Sequence, residues 1–410
     1  LDEELTTGAF AFLLRASALA LRFALPLALI RLLGLEATGL FALITASAAI
    51  APAAMGWGLN NRLTRDLVLQ PDDAPRLIAT RLAVTASSIM LAMIAAMVIP
   101  GFIAIDPTWP VAPALALIAL ETLALDIHVI LIALGRARRA NLLLFLRSAA
   151  WIPIFLIAAW RFEALRSLDL ALGCWIAGHL LALATFSPLL LAKSWRNFGI
   201  DAAWLRRGAR DSAWIYAADL GLVGQLHADR YLVGALMGLE ATAVYSICAA
   251  VGQSLQILAS SAFVQPALPR LIAAAGQHEA WPQFLRAACA RLALLFILLL
   301  AIAIAAMMVL AQTVAIRMEG ATTAALLLLS LASGVRSLSD AVNAVLIGQG
   351  RHRIYSALSL TGAALSLALC WMLLPILGLA GAGFAALGSA TAALAGRALA
   401  LATFKSRLSK

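Results

Sequence analysis

The chain is 410 residues long, 63% hydrophobic and only 12% charged, with a mean hydropathy of +0.97 and a formal net charge of +10. A soluble globule cannot cover that much apolar surface with so few charges, so soluble enzymes and cytosolic binding modules are excluded and the chain reads as a polytopic membrane protein. Its apolar runs are rich in Leu and Ala without sustained polar–apolar alternation, which argues against a β-barrel and predicts an all-α fold whose segments satisfy their own backbone inside lipid.

Twelve apolar segments are long enough, at roughly 20 residues, to cross a hydrocarbon core of about 30 Å. In chain order they span 8–33, 38–59, 77–104, 110–134, 140–160, 168–192, 211–236, 241–265, 283–312, 321–347, 354–374 and 376–400. The start, LDEELTT, is acidic where a cleavable signal would be basic, so the first segment is expected to act as its own insertion signal.

That first segment carries Arg15 and Arg22, seven residues apart and therefore on one face, as a cationic stripe. The fourth carries Glu121 and Asp126, and the fifth carries Arg147. Between the sixth and seventh, KSWRNFGIDAAWLRRGAR (Lys193 to Arg210) mixes aromatic with basic residues, and reads either as a cytoplasmic interfacial helix or as a solvated linker.

The seventh segment holds Asp219, Asp229 and Arg230; the last two read as site residues or as a rim ion pair. Arg291 in the ninth and Arg397 in the twelfth are expected to extend to the headgroups. On the tenth, Ser333, Arg336, Asp340 and Asn343 follow a helical rhythm as a polar seam, in which Arg336 and Asp340 are spaced to pair. A charge at membrane depth costs about 2.5–3.5 kcal/mol on insertion scales and so usually faces the bundle interior or water.

The remaining chemistry is sparse. Cys174, Cys248, Cys289 and Cys370 are scattered in apolar runs without CxxC or His-rich neighbours, so they read as packing residues, with no metal or cofactor expected. His128, His179 and His227 also lie in apolar spans, either as neutral groups bonded to backbone carbonyls or as a proton relay.

The chain repeats itself. LGLEATGLFALITASAAI from Leu33 matches MGLEATAVYSICAAVGQS from Met237, the shared Gly-Leu-Glu-Ala-Thr recurring after 204 residues, and GRAR at Gly135 recurs as GRHR at Gly350 after 215. Two six-helix lobes, 1–194 and 211–410, joined by an amphipathic linker at 195–210, are therefore expected around a central cavity. Even-numbered connections and the C-terminal tail carry 19 Arg and Lys, counting Arg81 among them, against 4 on the odd-numbered side. This places both termini in the cytoplasm and makes the repeats parallel; the basicity is a topology signal, not a nucleic-acid footprint.

The first exit RLLGLEATGLFAL (Arg31 to Leu43), the second exit GWGLNNRLTRDL (Gly56 to Leu67), ADRYLVGALMGLEATAVYS (Ala228 to Ser246), LIGQGRHRIYSAL (Leu346 to Leu358) and PILGLAGAGFAALGS (Pro375 to Ser389) together resemble the polysaccharide transporter family. These are Wzx-like oligosaccharide flippases of the multidrug/oligosaccharidyl-lipid/polysaccharide superfamily. The resemblance covers nearly the whole chain through motif order; peptidoglycan-precursor flippases usually add two further helices.

The resemblance implies a flippase that moves a polyprenyl-diphosphate-linked oligosaccharide across the cytoplasmic membrane for lipopolysaccharide or O-antigen synthesis. It would work by alternating access amid membrane lipid and beside other polysaccharide-assembly proteins. On that reading Arg15, Arg22, Arg147, Arg230 and Arg336 form a cationic substrate cavity, and Glu121, Asp126, Asp219 and Asp340 serve coupling or gating. Superposing the repeats sets Arg15 against Asp219 and Glu121 against Arg336, pairs that would hold and release the halves. The rival is an ion-coupled multidrug exporter of the same fold. A membrane enzyme on isoprenoid lipids is a third class, but no DDxxD or HxxxxD cluster is present.

Overall fold

A computed structural model describes residues 2–98, 109–190, 199–264, 281–313, 320–348 and 351–408, with some side chains inside these ranges left out. Nearly all the described residues are helical and none lies in a strand, the all-α fold expected. Nine stretches among the described residues are long and apolar enough to cross a membrane. Leu91, Ile94, Ile154, Ile157, Trp160, Leu294, Ile297, Trp371 and Ile376 point outward, a pattern tolerable only in lipid.

In chain order the helices are α1 (Asp2–Leu33), α2 (Leu35–Gly56), α3 (Leu59–Leu69), α4 (Ala74–Val98), α5 (Val111–Ala133), α6 (Ala137–Ser148) and α7 (Trp151–Arg161). There follow α8 (Leu168–Leu190), α9 (Ala202–His227), α10 (Asp229–Ala259), α11 (Trp281–Thr313), α12 (Gly320–Gly348), α13 (His352–Leu377) and α14 (Leu379–Leu408). Two compact units result: unit 1 holds residues 1–28 and 44–216, and unit 2 holds 29–43 and 217–410.

Both sequence repeats are backbone devices. Gly34 ends α1 at φ +86°, and Gly238 kinks α10 at the same φ. A left-handed residue stops a helix sharply, and glycine alone adopts it without a Cβ penalty. Four residues on, the Thr of each copy closes the link in the same way: Thr38 Oγ1 donates to Gly34 O at 2.7 Å and Thr242 Oγ1 to Gly238 O at 2.8 Å.

The GRxR pair behaves alike. Arg136 N–H donates to Leu131 O at 2.8 Å and Arg351 N–H to Leu346 O at 3.1 Å, with near-identical torsions (φ −94°, ψ 49° and φ −86°, ψ 48°). This six-to-one bond satisfies an orphan carbonyl at the end of the preceding helix.

Three elements differ from expectation. The segment read as one helix over 140–160 is broken into α6 and α7, because Ala149 leaves helical torsions (φ −141°) and the N–H groups of Ala149 and Ala150 both bond Phe145 O. Pro153 then falls in the first turn of α7, where its missing N–H costs nothing. The segment expected at 211–236 begins earlier, at Ala202, and breaks at Ala228.

The third difference is the linker. Residues 195–198 lie outside the described residues, but Asp201 caps α9 by accepting from Trp204 N–H at 2.8 Å. The Trp204 ring is 3% exposed, packed with Leu59, Leu63 and Leu67 of amphipathic α3 and with Leu77, Ile78 and Ile130. Its Nε1–H donates to Asp66 at 2.8 Å, and Arg62 lies over its ring. Trp204 is thus a buried anchor in this stretch, while Ala202, Ala203, Arg206 and Arg207 around it are exposed.

Candidate functional site

Unit 1 holds two polar circuits in its helical interior. In the first, Arg81 of α4 bridges α2 and α5: Nη1 donates to Gly56 O at 3.1 Å and Nη2 to Asp126 Oδ1 at 2.6 Å. Thr85, one turn along α4, donates its hydroxyl to Asp126 Oδ2. Arg81 is 0% exposed and Asp126 1%. The sequence reading put Arg81 in a cytoplasmic connection; it is instead a buried helix residue, the missing partner of Asp126. Its position inside an apolar run, four residues before Thr85, was the available signal.

In the second circuit, Glu121 of α5 takes one oxygen to the Arg147 guanidinium of α6 and the other to His179 Nε2 of α8, at 2.7 Å. Trp175 and Trp151 stack at 5.9 Å beside it, and the His179 ring tilts against Trp175. Arg147 sits two residues before the α6–α7 break, so the break ends α6 where the pair forms. Arg22 of α1 lies within electrostatic reach of both Glu121 and Arg147. Of Arg22, Glu121 and Arg147, Arg22 has the most exposed residue surface, although it sits deep among the helices. Arg15 lies in α1, but its side chain is outside the described residues.

Unit 2 arranges its charges more loosely. Tyr245 donates its hydroxyl to Asp229 Oδ2, and Arg230 lies 3.9 Å from Asp229 Oδ1. Arg230 Nη1 also donates to Leu226 O at 2.8 Å and lies 2.9 Å from His227 Nδ1, so this buried ion pair is tied to its own helix break. Arg336 of α12 feels the charges of Asp229, Asp340 and Arg230, but its Nε and Nη2 are buried without a hydrogen-bond partner.

The Arg336–Asp340 pairing suggested by the spacing does not form; Asp340 Oδ2 accepts from Gln256 of α10 at 3.1 Å instead. The rest of the seam, Ser333 and Asn343, is buried within the unit. Arg397, expected at the headgroups, is 3% exposed and donates to Ser339 and Ser359. Arg291 is exposed. Asp219 is half-buried and within electrostatic reach of Tyr355. Tyr245, Gln256 and the serine partners of Arg397 were not singled out from sequence, because uncharged groups in apolar runs carry no pattern of their own.

The candidate pairs Arg15–Asp219 and Glu121–Arg336 each join residues of different units. Inside unit 1 Glu121 already has two partners. His128 Nδ1 meets Ala140 O at 3.1 Å, the backbone-bonded form. Among the described residues no group of His, Cys, Asp and Glu is placed to hold a metal.

No family model and no curated protein matches the sequence. Solved structures do. An inward-facing multidrug resistance MATE family transporter of the MOP superfamily superposes with a TM-score of 0.69 at 16% identity, over 98% of this chain and 95% of that one. The MATE multidrug transporter DinF-BH gives 0.66 at 14%, over 96% and 95%. A MOP superfamily transporter from Pyrococcus furiosus, described by a reverse polarity of its binding pocket that suggests a different function, gives 0.60 at 14%, over 98% and 94%. This chain has the fold of those transporters. The likeness runs over almost the full length of this chain and of each neighbour.

Proposed function

We propose that the chain is a flippase of the cytoplasmic membrane, with both termini cytoplasmic, that moves a polyprenyl-diphosphate-linked oligosaccharide to the outer leaflet for cell-surface polysaccharide synthesis. It acts as a transporter and not as an enzyme. The lobes 1–194 and 211–410, joined at 195–210, would alternate access, amid membrane lipid and alongside other polysaccharide-assembly proteins.

The observation that carries this reading is the charge balance of unit 1. At membrane depth its described side chains include three guanidinium groups, Arg22, Arg81 and Arg147, against two carboxylates, Glu121 and Asp126. Both carboxylates are occupied internally. The surplus is the Arg22 guanidinium, whose planar donors suit a diphosphate through charge-assisted hydrogen bonds. Holding a surplus cation at that depth is costly unless an anion uses it.

The second reading, multidrug export, draws on the neighbours that are multidrug transporters. An organic cation would need an available carboxylate, and in unit 1 both described membrane-depth carboxylates are engaged. The Pyrococcus furiosus neighbour illustrates that pocket polarity varies within the fold.

Reconstituted in vesicles, the protein should bind and flip a lipid-linked oligosaccharide and leave cationic dyes where they are. Arg22→Ala should weaken lipid-diphosphate binding roughly 10- to 100-fold, the worth of a charged hydrogen bond, with an unchanged melting temperature. Dye transport with no response to lipid diphosphate would overturn the proposal in favour of export.

A further inference from the structure

His179 sits between two acceptors. Its Nδ1 lies 3.0 Å from the backbone carbonyl of Trp175, one turn back on α8, and its Nε2 lies 2.7 Å from Glu121 Oε2. A carbonyl oxygen only accepts, so Nδ1 carries hydrogen. A neutral imidazole has one N–H, which leaves Nε2 a bare lone pair. Facing an ionised carboxylate oxygen at 2.7 Å, that lone pair would be repelled. The contact needs one proton more than a neutral histidine and a carboxylate hold together.

We infer that Glu121 and His179 form a proton-binding site in unit 1, and that its occupancy is linked to anion binding at Arg22. The proton resides either on Nε2, as imidazolium against carboxylate, or on Oε2, as a carboxylic acid donating to Nε2. In both forms it belongs to the pair.

The surroundings fix the electrostatic consequence. From α1 the pair faces Arg22, and from α6 Arg147. On α4, Arg81 is committed to Asp126, which lies further along α5 with His128. On α3, Arg62 and Arg65 are directed at Asp66. Cys174 and Asp169 lie nearer the start of α8.

The pair is neutral when protonated and carries −1 when the proton leaves, so Arg22, Arg147 and the pair together pass from +2 to +1. The +1 state holds an anion less well, and Arg147 is then bound more strongly to Glu121. Linkage is reciprocal, so an anion arriving at Arg22 draws a proton onto the pair. Part of this rests on the anionic substrate proposed above; the proton site does not.

The test uses the full-length chain in lipid nanodiscs, with farnesyl diphosphate as probe. Infrared difference spectra and ring ¹⁵N shifts report the proton, assigned by loss of the signal in Glu121→Gln and His179→Gln. Two N–H signals on His179, or a protonated Glu121 carboxyl, should appear at low pH and vanish together as pH rises. Over that range the probe's affinity should fall about tenfold, a typical coupling between sites, and each variant should bind it with a flat pH profile.

A single N–H on His179 beside an ionised Glu121 at every pH overturns the site. A titrating pair with pH-independent probe binding overturns the linkage. A titrating pair with no probe binding at all refutes the anionic-substrate reading and leaves the proton site standing. The spectra are read on the unmodified protein, so a variant that fails to fold does not decide the outcome.

Discussion

The interiors of the two units solve the same problem differently. In unit 1 each described membrane-depth carboxylate is held by a guanidinium and by a second partner, Thr85 for Asp126 and His179 for Glu121. In unit 2 the Arg336 guanidinium keeps two buried nitrogens without acceptors, Asp229 Oδ1 has no hydrogen bond, and Asp340 is met by an amide. Yet the backbone turns that the two halves share are nearly superimposable in torsion and bonding. The repeated motifs share their turns and caps, while the buried charges differ. At the offset of 215, Glu121 corresponds to Arg336 and Arg147 to Gly362, so the acid–guanidinium pair of unit 1 has no counterpart at those positions.

The contrast is broken most severely at Arg81. Arg81→Met leaves Asp126 charged and unpaired in the interior and should destabilise the protein by about 3–5 kcal/mol, seen as a lowered thermal midpoint in detergent; adding Asp126→Leu should restore most of it. In unit 2 the same change, Arg336→Met, removes a cation two of whose nitrogens are unsatisfied, and the midpoint should fall by less than at Arg81. Equal losses at both positions would erase the distinction.

Next in size is Tyr245→Phe, which strips the hydroxyl from Asp229 and should cost about 1–3 kcal/mol by leaving a buried acceptor unmet. Ala at Gly238 or Gly34 should cost about 1–2 kcal/mol, and by the same amount at both, since each imposes a left-handed torsion on a side chain. A large inequality there would deny that the two links are equivalent. The smallest effect is at the closing hydroxyls: Thr38→Val and Thr242→Val should each lose about 0.5–1.5 kcal/mol.

What could be read from the residues alone follows from how each feature is encoded. Helical spans and the duplication were legible because lipid demands long apolar runs and because a left-handed turn demands glycine, so Gly34 and Gly238 announce themselves. Charge positions along the chain were equally plain. Their partners were not, since pairing is a tertiary fact: Arg81 looked like one more cytoplasmic arginine until α5 brought Asp126 to it, and Arg397 looked free to reach the headgroups until Ser339 and Ser359 closed over it. The break after Ser148 was hidden because the Ala pair there carries no helix-breaking signal, and Pro153 lies past it.

The indole of Trp204 has a bearing on how the chain is made. Its acceptor, Asp66, is synthesised 138 residues earlier, and the apolar nest around the ring is drawn from α3, α4 and α5. The indole can settle only once those helices have left the ribosome and assembled, so its docking works as a latch closed after the first half is in place. The register from which α9 departs is thereby set before most of the second half exists, and the ring's fluorescence would report that moment during synthesis.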